Sequence, residues 1–174
     1  MIEKYATKGD AASVATYSDD LEYRYDLVRT WDGGAGRINF VMLNPSTATE
    51  LANDPTVERC ERRARALGYG AFRVTNIFAY RATDPRDMRA HPDPVGGEAN
   101  DTAIREAALW ADRVVCAWGT HGAHLSRGPA VERLLRGTGR ELTTLGLSKH
   151  GHPKHPLYIG YHVQPAVWSE PWAG

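Results

Sequence analysis

A chain of 174 residues is long enough for one domain with a substantial core and leaves little room for a second. Lys plus Arg and Asp plus Glu both number 21, so global charge gives no pull toward nucleic acid; that argues against a non-specific coating protein and leaves room for a local basic face on a neutral enzyme. No run of about 18 apolar residues occurs, so no membrane-spanning helix is expected, and "MIEKYATKGD" lacks the apolar centre of a signal peptide, which makes the cytoplasm the expected location.

In chain order, residues 1–20 are expected to be weakly structured. "YRYDLVRTW", residues 23–31, carries the aromatic and branched side chains of a strand, and "DGGAG" after it reads as a turn. "RINFVML" is a near-continuous apolar run, which fits a strand buried on both faces. In "NDPTVERCERRARALGYG", Asp54 caps a helix, Pro55 suits its first position and Gly68 terminates it. Val57, Cys60, Ala64 and Leu67 recur there at helical spacing; Arg59, Arg62, Arg63 and Arg65 fill the remaining surface, either as a solvated face or as a phosphate clamp.

"AFRVTNIF" reads as the next strand, and "RATDPRDMRAHPDPVGGE", with three prolines, as a long loop. "NDTAIREAALWAD" is a helix, "RVVCAW" a third buried strand, "GPAVERLLRGTG" a short helix and "ELTTLGL" a fourth strand; residues 157–174 form a tail. Strand and helix alternate. The expected fold is α/β, a three-layer sandwich with a central, mainly parallel four-stranded sheet, one N-terminal antiparallel strand before it, and flanking helices. Cys60 and Cys116 are too few and too isolated for a disulfide framework and read as free thiols.

The strand ends carry the functional signal. The first runs into Asn44-Pro45-Ser46-Thr47, and the second through Thr75-Asn76 to Tyr80-Arg81. The third ends in Trp118-Gly119-Thr120-His121, and the fourth leads to "SKHGHPKHP", residues 148–156. In an open parallel sheet these carboxyl ends share one edge, where ligands bind. Each residue also has a plainer reading: Asn44-Pro45 as a turn, Asn76 as a partner for loop carbonyls, Trp118 as a core aromatic. His150, His152 and His155 have no neighbouring carboxylate or thiolate in sequence, so no metal is expected. Phosphate-loop and dinucleotide fingerprints are absent, and no cofactor is expected.

Read together, "YRYDLVRTW", "VMLNPSTA", "NDPTVERC", "GYGAFRVTNIFAYRATDP", "NDTAI", "AWGTHG" and "LGLSKHGHPKHPLY" resemble the domain-of-unknown-function 1643 family over about residues 15–160. More distantly, the chain is similar to the uracil-DNA glycosylase superfamily, whose first strand motif ends in an Asn-Pro or Asp-Pro pair, whose later strand carries a base-reading Asn, and whose last strand precedes a His-Pro loop. That likeness implies a glycosylase-like fold and a hydrolase that excises a modified or damaged base from DNA, in repair or in defence against phages with modified DNA.

It assigns Asn44 to the attacking water, His152 or His155 to the leaving group, and Asn76, Trp118, Tyr80, Ser46 and Thr47 to the flipped base. Arg81, His121, Lys149 and Lys154 are assigned to phosphates. DNA is the implied partner, with no membrane and no obligate protein partner. The chain departs from the motifs: Met42 stands where the superfamily has Gly, Ser46 stands where one branch has Gly, and "HPKHP" leaves the His alignment open. A nucleotide- or nucleoside-processing enzyme on the same fold, and a non-catalytic nucleic-acid-binding module, remain the alternatives.

Overall fold

The computed structural model describes residues 1–169. Its strands are β1 (Ile2–Lys8), β2 (Ala11–Tyr17), β3 (Arg24–Thr30), β4 (Arg37–Met42), β5 (Ala71–Asn76), β6 (Arg113–Cys116), β7 (Leu142–Thr144) and β8 (Ala166–Val167). They form one mixed eight-stranded sheet in the order β1-β2-β3-β5-β4-β6-β7-β8. Four helices complete the fold: α1 (Pro55–Ala66), α2 (Pro85–Ala90), α3 (Gly97–Trp110) and α4 (Arg127–Arg136). Among the described residues no helix is long and apolar enough to cross a membrane.

The expected mainly parallel sheet of four strands with one antiparallel addition is too small. The pairs β4–β5, β4–β6 and β6–β7 are parallel. Strands β1, β2 and β3 then extend the β5 edge, and β8 extends the β7 edge, all by antiparallel pairing. The largest correction falls on residues 1–20, which are not weakly structured: β1 and β2 pair over seven residues each. Strand β2 alternates strictly, with Ala11, Ser13, Ala15 and Tyr17 inward. Three of those four inward side chains are small, so the alternation carries little apolar signal in the sequence.

Strand β4 is the centre of the core. Ile38, Phe40 and Met42 pack in one cluster with Val57, Cys60 and Ala64 of α1. Val41 joins the other cluster, with Ile104 and Ala108 of α3 and Val131 and Leu135 of α4. The period of two thus divides one apolar run between two faces. Burying each such side chain contributes roughly 1.5–3 kcal/mol. Asp54 caps α1 by accepting from Val57 N at 2.8 Å, with Pro55 following it.

The loop expected over residues 81–98 contains α2, capped by Asp84 and anchored by the fully buried Met88. In the expected tail, Pro156–Tyr158 form a 3-10 turn and Ala166–Val167 form β8; residues 170–174 of it lie outside the described residues. Both cysteines are buried free thiols, and burial pushes each well above the ordinary thiol range, so neither is a ready nucleophile.

Candidate functional site

The chain leaves β4 toward α1 on one face and leaves β6 toward α4 on the other. Neighbouring parallel strands whose connections part in this way open a crevice at their carboxyl ends. A cleft of about 480 Å³ lies there, lined by Leu43, Asn44 and Ser46 after β4 and by residues 118–121 after β6. That volume is within the usual range for small-molecule sites.

Asn44 sits in its wall with the amide turned by the backbone: Nδ2 donates to Ala82 O at 2.8 Å and to Pro45 O at 3.1 Å. Its Oδ1 is therefore the end left to accept a hydrogen from the cleft. Ser46 Oγ lies 3.4 Å from Thr83 Oγ1 on the same wall. Opposite, Gly119 takes φ of +75° and donates to Pro153 O at 2.8 Å, tying the end of β6 to the 148–156 loop. A Cβ at Gly119 would touch His155 Cβ at 3.4 Å, so the glycine serves both backbone angle and close approach.

His155 lines the cleft from that loop. Its Nδ1 accepts from Leu157 N at 3.4 Å, which leaves Nε2 to carry the ring hydrogen. Burial lowers its pKa, opposed in part by the charge of Asp54, so it is a neutral donor at pH 7. His121 lines the rim and is exposed. Trp118 is 2% exposed and lines the wall, its indole hemmed by Gly122 and Gly128: a Cβ on either glycine would lie within 3 Å of it. It is both core aromatic and cleft wall.

Beneath the cleft is a recess of about 30 Å³ whose lining includes Asn44, Ser46, Asp54, His155, Asn76 and Arg24. Asn76, the last residue of β5, is 1% exposed and its Nδ2 has no acceptor. Asp54 Oδ2 accepts from Ala48 N at 3.2 Å, so the same carboxylate caps α1 and holds the loop over the recess.

Asn44, Ser46, Asn76, Trp118, His121 and His155 thus converge, and six other expected site residues do not. After β5 the chain pairs back onto the segment just before β3, with a bridge between Tyr23 and Tyr80 and Arg81 N donating to Glu22 O. That detour stacks Tyr80 on His91 at 3.9 Å and sends Arg81 Nη1 to Leu21 O, both away from the cleft. Thr47 is exposed and outside the lining. His152 closes a turn with Ser148, whose N donates to His152 O and whose Oγ accepts from His152 N, and the His152 side chain lies outside the lining. Lys149 and Lys154 are exposed and also outside it; the stem of Lys154 covers Gly146.

The arginines of α1 are not a phosphate clamp. Arg63 is 1% exposed and donates to the carbonyls of Val163 and Ile159, each at 2.9 Å, and Arg59 also donates to Ile159 O. Arg62 and Arg65 pair with Glu58, Glu61 and Asp10. These side chains fasten the 159–163 segment and the hairpin to the helix.

Sequence reasoning missed Arg24, Asp54, Thr83 and Tyr158 as site residues. Arg24 had a signal: a charge inside a strand of otherwise buried character flags a polar group with a task. Asp54 was legible only as a helix cap. Among the described residues no group of three or more His, Cys, Asp or Glu side chains is arranged to hold a metal ion. No curated protein and no solved structure matches the chain. The family model for proteins of unknown function designated DUF1643 matches residues 24–157, more than half of the chain, and the chain belongs to that family.

Proposed function

We propose that this protein is an N-glycosyl hydrolase that releases a modified or damaged base from DNA, on a glycosylase-like variant of the α/β fold, in repair or in defence against phages with modified DNA. The observation that carries the reading is the pairing of Asn44 Oδ1, left open to the cleft, with the buried unpaired Nδ2 of Asn76 in the recess below. One amide offers an acceptor for a water and the other a donor for a base. The motif resemblance of "VMLNPSTA" and "RVTNIF" supports the same assignment.

In the reaction, a water held by Asn44 Oδ1 attacks the anomeric carbon. The carbon–nitrogen bond breaks, and its electron pair leaves with the base. Positive charge builds on the sugar and negative charge on the base, so a neutral amide suits the first and donors suit the second. His155 Nε2–H and Asn76 Nδ2 are those donors. The proton lost by the water passes to solvent and the base takes one up, giving a sugar hydroxyl and a neutral free base. Trp118 and the exposed Tyr158 form the apolar walls for an extruded ring.

The test is incubation of the pure protein with duplex and single-stranded oligonucleotides carrying a panel of modified bases, followed by alkaline cleavage at abasic sites. Cleavage at one base with Asn44→Ala inactive supports the reading. Absence of release from every base, together with absence of DNA binding, removes it.

One observation favours a second reading, a free nucleoside or nucleotide as substrate. The cleft lining contains no Lys or Arg, and of the four residues assigned to phosphates in the sequence Arg81, Lys149 and Lys154 lie outside it and only His121 reaches its rim. Thermal-shift screening with nucleosides separates the two, because a ligand bound to the folded state raises stability by mass action.

A further inference from the structure

Arg24 is the buried cation of this site. It is 1% exposed, and its guanidinium donates from Nη1 to Ala48 O at 2.8 Å and from Nη2 to Asn76 Oδ1 at 3.5 Å. Among the described residues it forms no ion pair, and its Nε has no acceptor. Burial lowers its pKa to about 10, so it stays charged at neutral pH. The guanidinium also sets the sense of the Asn76 amide: the oxygen faces Arg24, leaving Nδ2 as the unpaired end.

Nε atoms of Arg29, Arg59 and Arg63 are orphaned too, so the orphan alone is not diagnostic. Arg24 differs in lining a void, with a second buried unpaired donor in the same wall. The void of about 30 Å³ holds one water or one ligand oxygen and little more. Buried donors in native structures are nearly all paired, so two in one small cavity call for an acceptor. The Asp54 carboxylate in the same lining offsets part of the Arg24 charge but accepts no hydrogen bond from it, so the guanidinium still favours an acceptor that carries negative charge.

Resting on the base-pocket reading, we propose that Arg24 and Asn76 form a seat for one exocyclic oxygen of the departing base, and that Arg24 holds the negative charge that reaches this oxygen as the glycosidic bond breaks. When the carbon–nitrogen electron pair enters the ring of a keto base, resonance places charge on its carbonyl oxygen. The seat therefore binds the leaving group more tightly than the ground state, which is the condition for accelerating the step. The substrate class is then a keto base able to leave as an anion. An amino group in its place would meet two donors with a third.

Two measurements test the seat. In calorimetry, 5-nitrouracil, anionic at neutral pH, is compared with neutral uracil. The wild type is expected to bind the anion at least about tenfold more tightly, as for a hydrogen bond to a charged group. Asn76→Asp, of equal size, pairs its carboxylate with Arg24; it is expected to keep or raise Tm and to lose the preference for the anion. In crystals soaked in bromide, an anomalous peak is expected in the recess of the wild type and not of Asn76→Asp.

Equal binding of the two rings by the wild type, or a preference that survives in Asn76→Asp, overturns the proposal. If neither ring binds while bromide occupies the recess, the base reading falls and the anion seat stands. If bromide stays out and no preference appears, the seat falls whatever becomes of the base reading.

Discussion

The recess and the 148–156 loop collect polar side chains in opposite ways. The loop displays three histidines and two lysines within eight residues, and of these only His155 reaches the cleft. The recess draws Arg24, Asn76, Asp54 and Asn44 from β3, β5, the cap of α1 and the end of β4, residues scattered over more than 50 positions. Density in sequence marks an exposed surface here, where charges are cheaply solvated. Density in space marks the interior, where every polar group must be held by another. Chemistry that depends on fixed donors belongs to the second kind of cluster.

The largest effect that sharpens this contrast is at Asn44. Asn44→Ala removes the acceptor that holds the water, and the expected loss is about 100–1000-fold in single-turnover base release, by analogy with a lost oxyanion donor. Stability should fall by only about 1 kcal/mol, because a half-buried side chain loses its bonds to Ala82 O and Pro45 O. Unchanged cleavage would transfer the catalytic role elsewhere in the lining. Next comes Asp54→Ala, which leaves both Val57 N and Ala48 N without their acceptor. About 1–2 kcal/mol of stability is expected to go, read from urea denaturation, with base release weakened through the displaced recess wall.

The same contrast explains what the sequence could teach. The apolar run of β4 and the cap at Asp54-Pro55 were legible because local rules act on them directly: burial on both faces and a helix start. Asn44, Asn76 and Trp118 were legible because parallel strands deliver their carboxyl ends to one edge. Residues 1–20 were not, since small inward side chains hide the alternation of β2. Nor were Tyr80 and Arg81, whose course depends on a bridge to Tyr23, just before β3 and more than 50 residues earlier. The loop lysines misled for a different reason: a residue's type is visible in sequence, but the side of a turn on which it lands is set by bonds such as Ser148 N to His152 O at 2.8 Å.

Within the loop, His155 should be separable from its neighbours by pH. Its folded pKa lies below the ordinary value of about 6.5, so below that pH the unfolded chain takes up a proton that the folded residue resists. The contribution to stability is whole above about 6.5 and falls as pH drops toward the folded pKa, with Asp54 limiting the extent. Denaturation midpoints measured through this window should decline less steeply for His155→Gln than for the wild type. Parallel curves for the two proteins would show that the imidazole is not held neutral by its surroundings.

The smallest effect is expected at Lys149 and Lys154, and it bears on the substrate. Both lie outside the cleft, so neither touches a base bound there. Lys149→Ala and Lys154→Ala should leave the rate of base release from a saturating oligonucleotide nearly unchanged. If the substrate is DNA whose backbone runs over this loop, each lysine that neutralises a phosphate contributes about 0.9 to the salt dependence of binding. Titrations at several salt concentrations should then show a shallower slope for each variant. A slope that does not move, alongside cleavage of a free nucleoside, would assign the loop to holding His155 in place and the cleft to a small molecule.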